Sequence, residues 1–177
     1  PIIMIIVLGA MTAFGPMLVD MYNPALPQVR DDFGVSTSTS QLTLSFVMIG
    51  MALGQFVFGP LSDVYGRKKT VLSILIGIAV VSLACVFVSS INVFLVLRFI
   101  QGLLGGGAIV IARATVSDQY EGASLTQMIA TLLVVNGIIT IIAPLIGGYT
   151  LAFTSWKMIF AALTLISLVI FSIAFIK

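Results

Sequence analysis

Residues 41 to 88 read QLTLSFVMIGMALGQFVF, GPLSDVYGRKK and TVLSILIGIAVVSLACVFV. Two almost uninterrupted apolar runs, Gln41 to Phe58 and Thr70 to Val88, flank a turn that holds one carboxylate and three cations. Crossing about 30 Å of hydrocarbon at 1.5 Å per residue takes roughly 20 mostly apolar residues, and each run approaches that length. Backbone groups cannot stay unpaired in lipid, so a spanning segment is either a helix or a strand of a closed barrel. A barrel strand alternates apolar and polar residues. These runs do not alternate, so both are predicted to be transmembrane helices.

The same pattern extends along the chain. Apolar runs cover about 2–19, 41–58, 70–88, 93–113, 125–151 and 158–176 of the 177 residues. The composition is 60% hydrophobic and 8% charged, where a soluble domain carries about 25% charge. Six spans use most of the chain, and no soluble linker divides it, so residues 1–177 are expected to form one domain. The stretch from Asp20 to Ser40, with Arg30, Asp31, Asp32 and two prolines, is expected to leave the membrane. Its Ser/Thr cluster from Ser36 to Ser40 suits the start of a helix, because hydroxyls accept from free backbone N–H groups. Ser89 to Asn92 is so short a link that only an antiparallel hairpin fits it. Cytoplasmic loops retain an excess of Lys and Arg. Arg67, Lys68, Lys69, Arg113 and Lys177 fall on one side, against Arg30 and Lys157 on the other, so both ends of the chain are expected to be cytoplasmic. The chain starts at Pro1 and stops at Lys177 just after an apolar run, and reads as a piece of something longer; its first run lacks the cleavage site of a signal peptide.

Several functions are disfavoured by composition. A net charge of +2, spread between apolar runs, offers no nucleic-acid footprint. The single cysteine, Cys85, allows neither an intramolecular disulfide nor a multi-cysteine metal site. Histidine is absent, so proton chemistry would have to use carboxylates. No metal or cofactor is expected, and no enzyme: there is no Ser-His-Asp set, and Gly105 to Gly107 lie inside a span, not after a strand.

The turn from Gly59 to Thr70, GPLSDVYGRKKT, concentrates the most specific signal. Gly59 would allow close helix approach, and Gly66 permits a backbone conformation that a side chain opposes. Asp63 can cap a helix N-terminus or pair with Arg67. A merely positive loop would need the cations alone, without the Gly, Asp and Gly spacing. This segment resembles the signature of the major facilitator superfamily, a Gly-x-Leu-x-Asp-x-x-Gly-Arg-Lys/Arg turn between the second and third helices, matched at Gly59, Leu61, Asp63, Gly66, Arg67 and Lys68. The resemblance implies that Asp63 and Arg67 belong to a cytoplasmic charge network that stabilises the outward-facing state. Arg113, Asp118 and Glu121 would extend it, or else form an ordinary solvated loop.

Arg98 lies six residues into the fourth run, where a buried charge costs about 2.5–3.5 kcal/mol on insertion scales. It needs a partner. Asp20, at the outer end of the first run, reaches a similar depth if the two spans run antiparallel, so an Asp20–Arg98 pair is expected; the alternative is an interfacial Asp20 and an Arg98 that snorkels outward. LRFIQGLLGGG (Leu97 to Gly107) resembles the family's fourth-helix motif, associated with proton transfer. DMYNPALP (Asp20 to Pro27) resembles the end of helix one in the Bcr/CflA group of drug:proton antiporters, which implies that Asp20, Tyr22 and Asn23, with Gln101 and Asn136, serve the proton-coupling and substrate cavity. Gln101, Asn136 and Gln55 equally suit bonds to neighbouring helices. APLIGGY (Ala143 to Tyr149) resembles the exporters' fifth-helix motif, with a kink at Gly137, Pro144, Gly147 and Gly148; Ala143 stands where Gly is common. Gly50/Gly54 and Gly102/Gly106 are small-xxx-small pairs that allow close packing.

The fold class expected is an all-α, six-helix transmembrane bundle, the N-terminal half of the major facilitator fold with its 3+3 inverted repeat, although the two halves show no convincing sequence match. The resemblance implies drug:proton antiport in a bacterial inner membrane, with small-molecule substrate, protons and the lipid bilayer as partners. A C-terminal six-helix half would complete a transporter that is monomeric at full length. A metabolite facilitator or symporter of the same fold is the near alternative; a structural or regulatory membrane domain is the distant one.

Overall fold

The computed structural model describes residues 2–176, and Lys177, assigned above to the cationic side, lies outside them. Seven α-helices follow one another: α1 (Ile2–Val19), α2 (Leu26–Phe33), α3 (Thr37–Tyr65), α4 (Arg67–Phe87), α5 (Ile91–Gln119), α6 (Gly122–Phe153) and α7 (Lys157–Ile176). Six helical segments are long and apolar enough to cross a membrane, the first of them running from Met4 through α2 to Phe33. No strand occurs among the described residues.

The helices run past the apolar runs, because a polar residue can continue a helix and only a change of backbone direction stops it. α3 continues through the charged turn to Tyr65 and ends at Gly66, whose φ of 91° a side chain would oppose. The polar stretch from Asp20 to Ser40 is also largely helical. Pro24 and Pro27 stand at the start of a 3-10 turn (Asn23–Ala25) and of α2, where a missing N–H leaves no bond unmade. Gly34, in the left-handed region, closes α2. Ser36 then caps α3, accepting from the Thr39 N–H at 3.2 Å, so the helix begins four residues before the apolar run. Residues 88–90 alone join α4 to α5, the expected hairpin.

α3 packs on α5, α6 on α1, α4 on α7 and α1 on α5. Exchanging the first three spans for the last three carries α3–α5 onto α1–α6 and leaves α4–α7 and α1–α5 in place, as a 3+3 inverted repeat requires; α4 also packs closely on α5, and the counterpart of that contact, α1–α7, is much slighter. Glycine sets the closest crossing. A Cβ on Gly50 would overlap the Phe99 carbonyl, on Gly54 that of Leu103, on Gly102 that of Val47, and on Gly106 that of Met51. The two small-xxx-small pairs therefore face each other, and α3 and α5 meet backbone to backbone. Across the pseudo-repeat, Gly147 of α6 receives the Met21 carbonyl in the same way. Gly59 has no such role, since a Cβ there would meet Val110 at 3.8 Å, an ordinary contact; the expectation of a close approach at Gly59 is corrected.

Two apolar clusters fill the interior. One, around Phe14, Ile74, Leu75 and Ile111, lies toward the end that carries Arg67, called here the cationic end. The other, around Tyr22, Phe94, Trp156 and Phe160, lies toward the opposite end. There the indole N–H of Trp156 donates to Asp32 at 2.6 Å and its backbone N–H to Gln28 at 3.1 Å, which fastens α2 to the α6–α7 link. The outer surface is apolar as well: Phe56, Ile141 and Phe153 are each 70% or more exposed. A surface of that kind is at rest in lipid, not in water.

Replacing Gly54 by Val inserts a side chain where a carbonyl sits, an overpacking penalty of about 1–3 kcal/mol. The expected result is a lower melting temperature in detergent for Gly54→Val and an unchanged one for Gly148→Ala, whose site has nothing within 4 Å.

Candidate functional site

α5 carries Arg98 into the interior with no exposed surface at all. The expected acid is not its partner. Nη2 donates to the Leu18 backbone carbonyl at 2.7 Å and Nη1 to Gln101 Oε1 at 2.6 Å, while Gln101 Nε2 donates to Ser82 Oγ at 2.7 Å. The guanidinium carbon lies 4.2 Å from the centre of the Tyr22 ring and 5.5 Å from that of Phe160, so two π faces share the charge. Tyr22 is held in turn: its hydroxyl and Thr43 Oγ1 are 2.7 Å apart, and Thr43 donates to the Ser40 carbonyl at 2.5 Å. Leu18 accepts because α1 ends at Val19, and the last carbonyls of a helix lack partners of their own. Among buried side-chain polar atoms of the described residues, only Arg98 Nε has no bond.

Asp20 makes no ion pair with Arg98, and the pairing expected from depth is corrected. Snorkelling is corrected too, since Arg98 is fully buried. Leu18 meets Arg98 through its backbone carbonyl, whereas Asp20, one residue past the end of α1, lies beside a different set of side chains. Asp20 instead lines a cavity of about 430 Å³ among α1, α3, α5 and α6, with Met48, Met51, Gln55, Asn136 and Thr140. Asn136 is fixed there by donating to the Thr12 carbonyl at 2.9 Å. The residues assigned to one cavity thus divide. Asp20 and Asn136 share it; Arg98, Tyr22 and Gln101 form the closed cluster; Asn23 lies beside Arg30, Thr37 and Gln41 in a third depression. Leu18, Ser82, Thr43 and Phe160 were missed. Ser82 and Thr43, hydroxyls inside apolar runs, were the visible signals; a backbone carbonyl leaves none.

At the cationic end the charge network is real but narrower than expected. Arg67 binds Asp63 at 2.6 Å and Asp118 at 2.9 Å, and also donates to the Ser62 hydroxyl, so one guanidinium ties the end of α3 to the end of α5. Lys68 Nζ donates to the Phe175 carbonyl at 3.3 Å, which ties α4 to the last turn of α7. Asp63 does not cap α4, whose N-cap is Gly66 with no side-chain bond. Arg113 and Glu121 make no ion pair among the described residues. In α6, Pro144 lies within the helix and Gly147 takes the Met21 carbonyl, whereas Gly137 and Gly148 face open space.

Chemically, the two centres differ. A guanidinium held by neutral groups keeps its proton and acts as a fixed charge. A carboxylate in an open, partly polar cavity is free to exchange a proton or meet a cation. The described residues include no group of three His, Cys, Asp or Glu side chains placed to hold a metal ion.

Comparison with known proteins gives a family and a set of relatives. Residues 6–177 match the model of the Major Facilitator Superfamily. The chain is 34% identical over 161 residues to an uncharacterized MFS-type transporter, YdgK, of Bacillus subtilis, covering 90% of this chain and 40% of that protein. It is 34% identical over 173 residues to the bicyclomycin resistance protein homolog of Haemophilus influenzae, covering 98% and 44%. A chloramphenicol resistance protein of Pseudomonas aeruginosa is 35% identical over 148 residues, 83% of this chain and 35% of its own. The chain therefore spans less than half the length of these relatives.

Stability measurements separate the observed arrangement from a buried ion pair. Removing one partner of a buried pair strands the other charge, at about 3–5 kcal/mol. Here Asp20→Asn is expected to leave the melting temperature nearly unchanged, while Arg98→Lys lowers it, because an ammonium cannot span the Leu18 carbonyl and Gln101 together.

Proposed function

The chain belongs to the Major Facilitator Superfamily, and on that premise we propose that it is the N-terminal half of a proton-coupled exporter of drug-like compounds. It is a multi-pass membrane protein of a transporter family; the export reading goes further. The observation that carries it is Asp20, a carboxylate without an ion-pair partner among the described residues, in a cavity walled by Met48, Met51, Gln55, Asn136 and Thr140. The names of the relatives, bicyclomycin resistance and chloramphenicol resistance, support export as the direction and drug-like compounds as the cargo.

A C-terminal bundle supplies the other wall of the cavity, and the two halves rock about it. Met side chains adapt to varied apolar shapes, which suits a site with many substrates. Proton and substrate exclude each other at Asp20: a cationic or polar compound meets the carboxylate, and protonation removes the charge that held it. Arg98 takes no proton in this scheme. It grips the Leu18 carbonyl two residues before Asp20, so it transmits a change at the end of α1 to α5. At the cationic end, Arg67 with Asp63 and Asp118 forms a clamp that must release when that side opens. The cationic end is assigned to the cytoplasm, so both ends of the chain are cytoplasmic, in a bacterial inner membrane, with the full-length protein a monomer.

The test uses the full-length transporter in proteoliposomes. An imposed proton gradient is expected to drive ethidium against its own gradient, at least tenfold faster in the wild type than in Asp20→Asn, with passive exchange at equal pH retained by the variant. Gradient-driven transport by Asp20→Asn at the wild-type rate would refute the assignment.

A further inference from the structure

A cavity of about 590 Å³ lies at the cationic end, separate from both the Arg98 cluster and the Asp20 cavity. Its walls are the first turns of α1 and α4 and the last turns of α5 and α7, with Leu8, Met11, Val71 and Ile173 supplying apolar surface. Arg67 and Lys68 also line it. That volume falls in the range of about 300–1,000 Å³ typical of ligand sites.

The two cations are not equivalent. Arg67 is met by two carboxylates, Asp63 and Asp118. Lys68 makes no ion pair among the described residues; its one bond there, at 3.3 Å, goes to the Phe175 backbone carbonyl. A polar neutral partner leaves the ammonium charge unbalanced and two of its donors available. The site thus joins an apolar body to an uncompensated positive charge at the level where the helices end. An apolar tail attached to a phosphate fits both features. Membrane lipid is the source at hand: the outer surface beside the cavity is apolar, with Phe175 and Ile176 exposed, and basic pockets between transmembrane helices on the cytoplasmic side favour anionic headgroups.

We propose that this cavity binds one anionic phospholipid, with an acyl chain against Leu8, Met11, Val71 and Ile173 and the headgroup phosphate on Lys68. The choice of cytoplasmic leaflet rests on the orientation proposed above; the binding chemistry does not.

The experiment is native mass spectrometry of the full-length transporter, extracted from membranes containing phosphatidylglycerol and phosphatidylcholine with identical acyl chains. The wild type is expected to retain one phosphatidylglycerol in preference to phosphatidylcholine. One cation near the surface contributes about 1 kcal/mol, so Lys68→Gln should reduce the preference about fivefold, and Lys157→Gln, at the opposite end, should not. Val71→Trp, which fills the cavity, should abolish retention; Leu8→Phe, a smaller intrusion, should reduce it and guards against a folding failure. Equal retention of the two lipids by the wild type, or full preference in Lys68→Gln, would overturn the proposal. So would displacement of the lipid by millimolar glycerol phosphate, which would mark a free-anion site. Lipid retention is read without transport, so loss of proton coupling leaves this result standing, and the reverse holds as well.

Discussion

A full positive charge sealed inside a membrane bundle, with no acid beside it, is the constraint around which the opposite-end half of the structure is organised. Arg98 is fully buried, and its charge is spread over a backbone carbonyl, a glutamine oxygen and two aromatic faces. Charge-assisted hydrogen bonds are roughly twice as strong as neutral ones, and each of these also fixes a helix: Leu18 belongs to α1, Gln101 passes the contact to Ser82 on α4, and Phe160 sits on α7. Four spans are held by one side chain. The aromatic cluster of Phe33, Phe94, Trp156 and Phe160 closes over it, with ring centres 5.2–5.8 Å apart, and keeps water from competing for those bonds.

The rest of the bundle is built on backbone contact. Lipid tails are as apolar as leucine, so apolar side chains gain little by leaving lipid for one another, and association relies on close packing. Four glycines bring α3 and α5 together without intervening side chains, and Gly147 does the same for α6 against the end of α1. The two contacts join span pairs that the internal pseudo-repeat relates, α3 with α5 and α6 with α1. The helices that bury least, α3 and α6, show their apolar faces outward, where lipid or a second bundle can lie.

Separating the fixed charge from the exchangeable one has a functional logic. Arg98 cannot lose its proton at any ordinary pH, and a carboxylate paired directly to it would be tied down as an anion. In the exporter proposed above, an Asp20 left unpaired just beyond α1 would be free to meet proton or substrate, while Arg98 holds the Leu18 carbonyl two residues before it.

Residue types and their order were enough for the spans, the antiparallel hairpin at 88–90, the cap at Ser36, the glycine turn at Gly66, the Arg67–Asp63 pair and the need of Arg98 for partners. These depend on hydrophobic length, on local backbone geometry or on neighbours a turn apart, all of which a linear sequence contains. What the tertiary structure decided was azimuth. Which way Asp20 faces, that Arg98 is answered by a carbonyl of α1 and by Gln101, that Arg113 stays out of the network, and that Gly50, Gly54, Gly102 and Gly106 each meet a carbonyl of the facing helix all follow from how the chain is turned about the helix axes. Nearly uniform apolar runs carry little trace of that rotation, because in a membrane both the lipid-facing and the buried side of a helix are apolar.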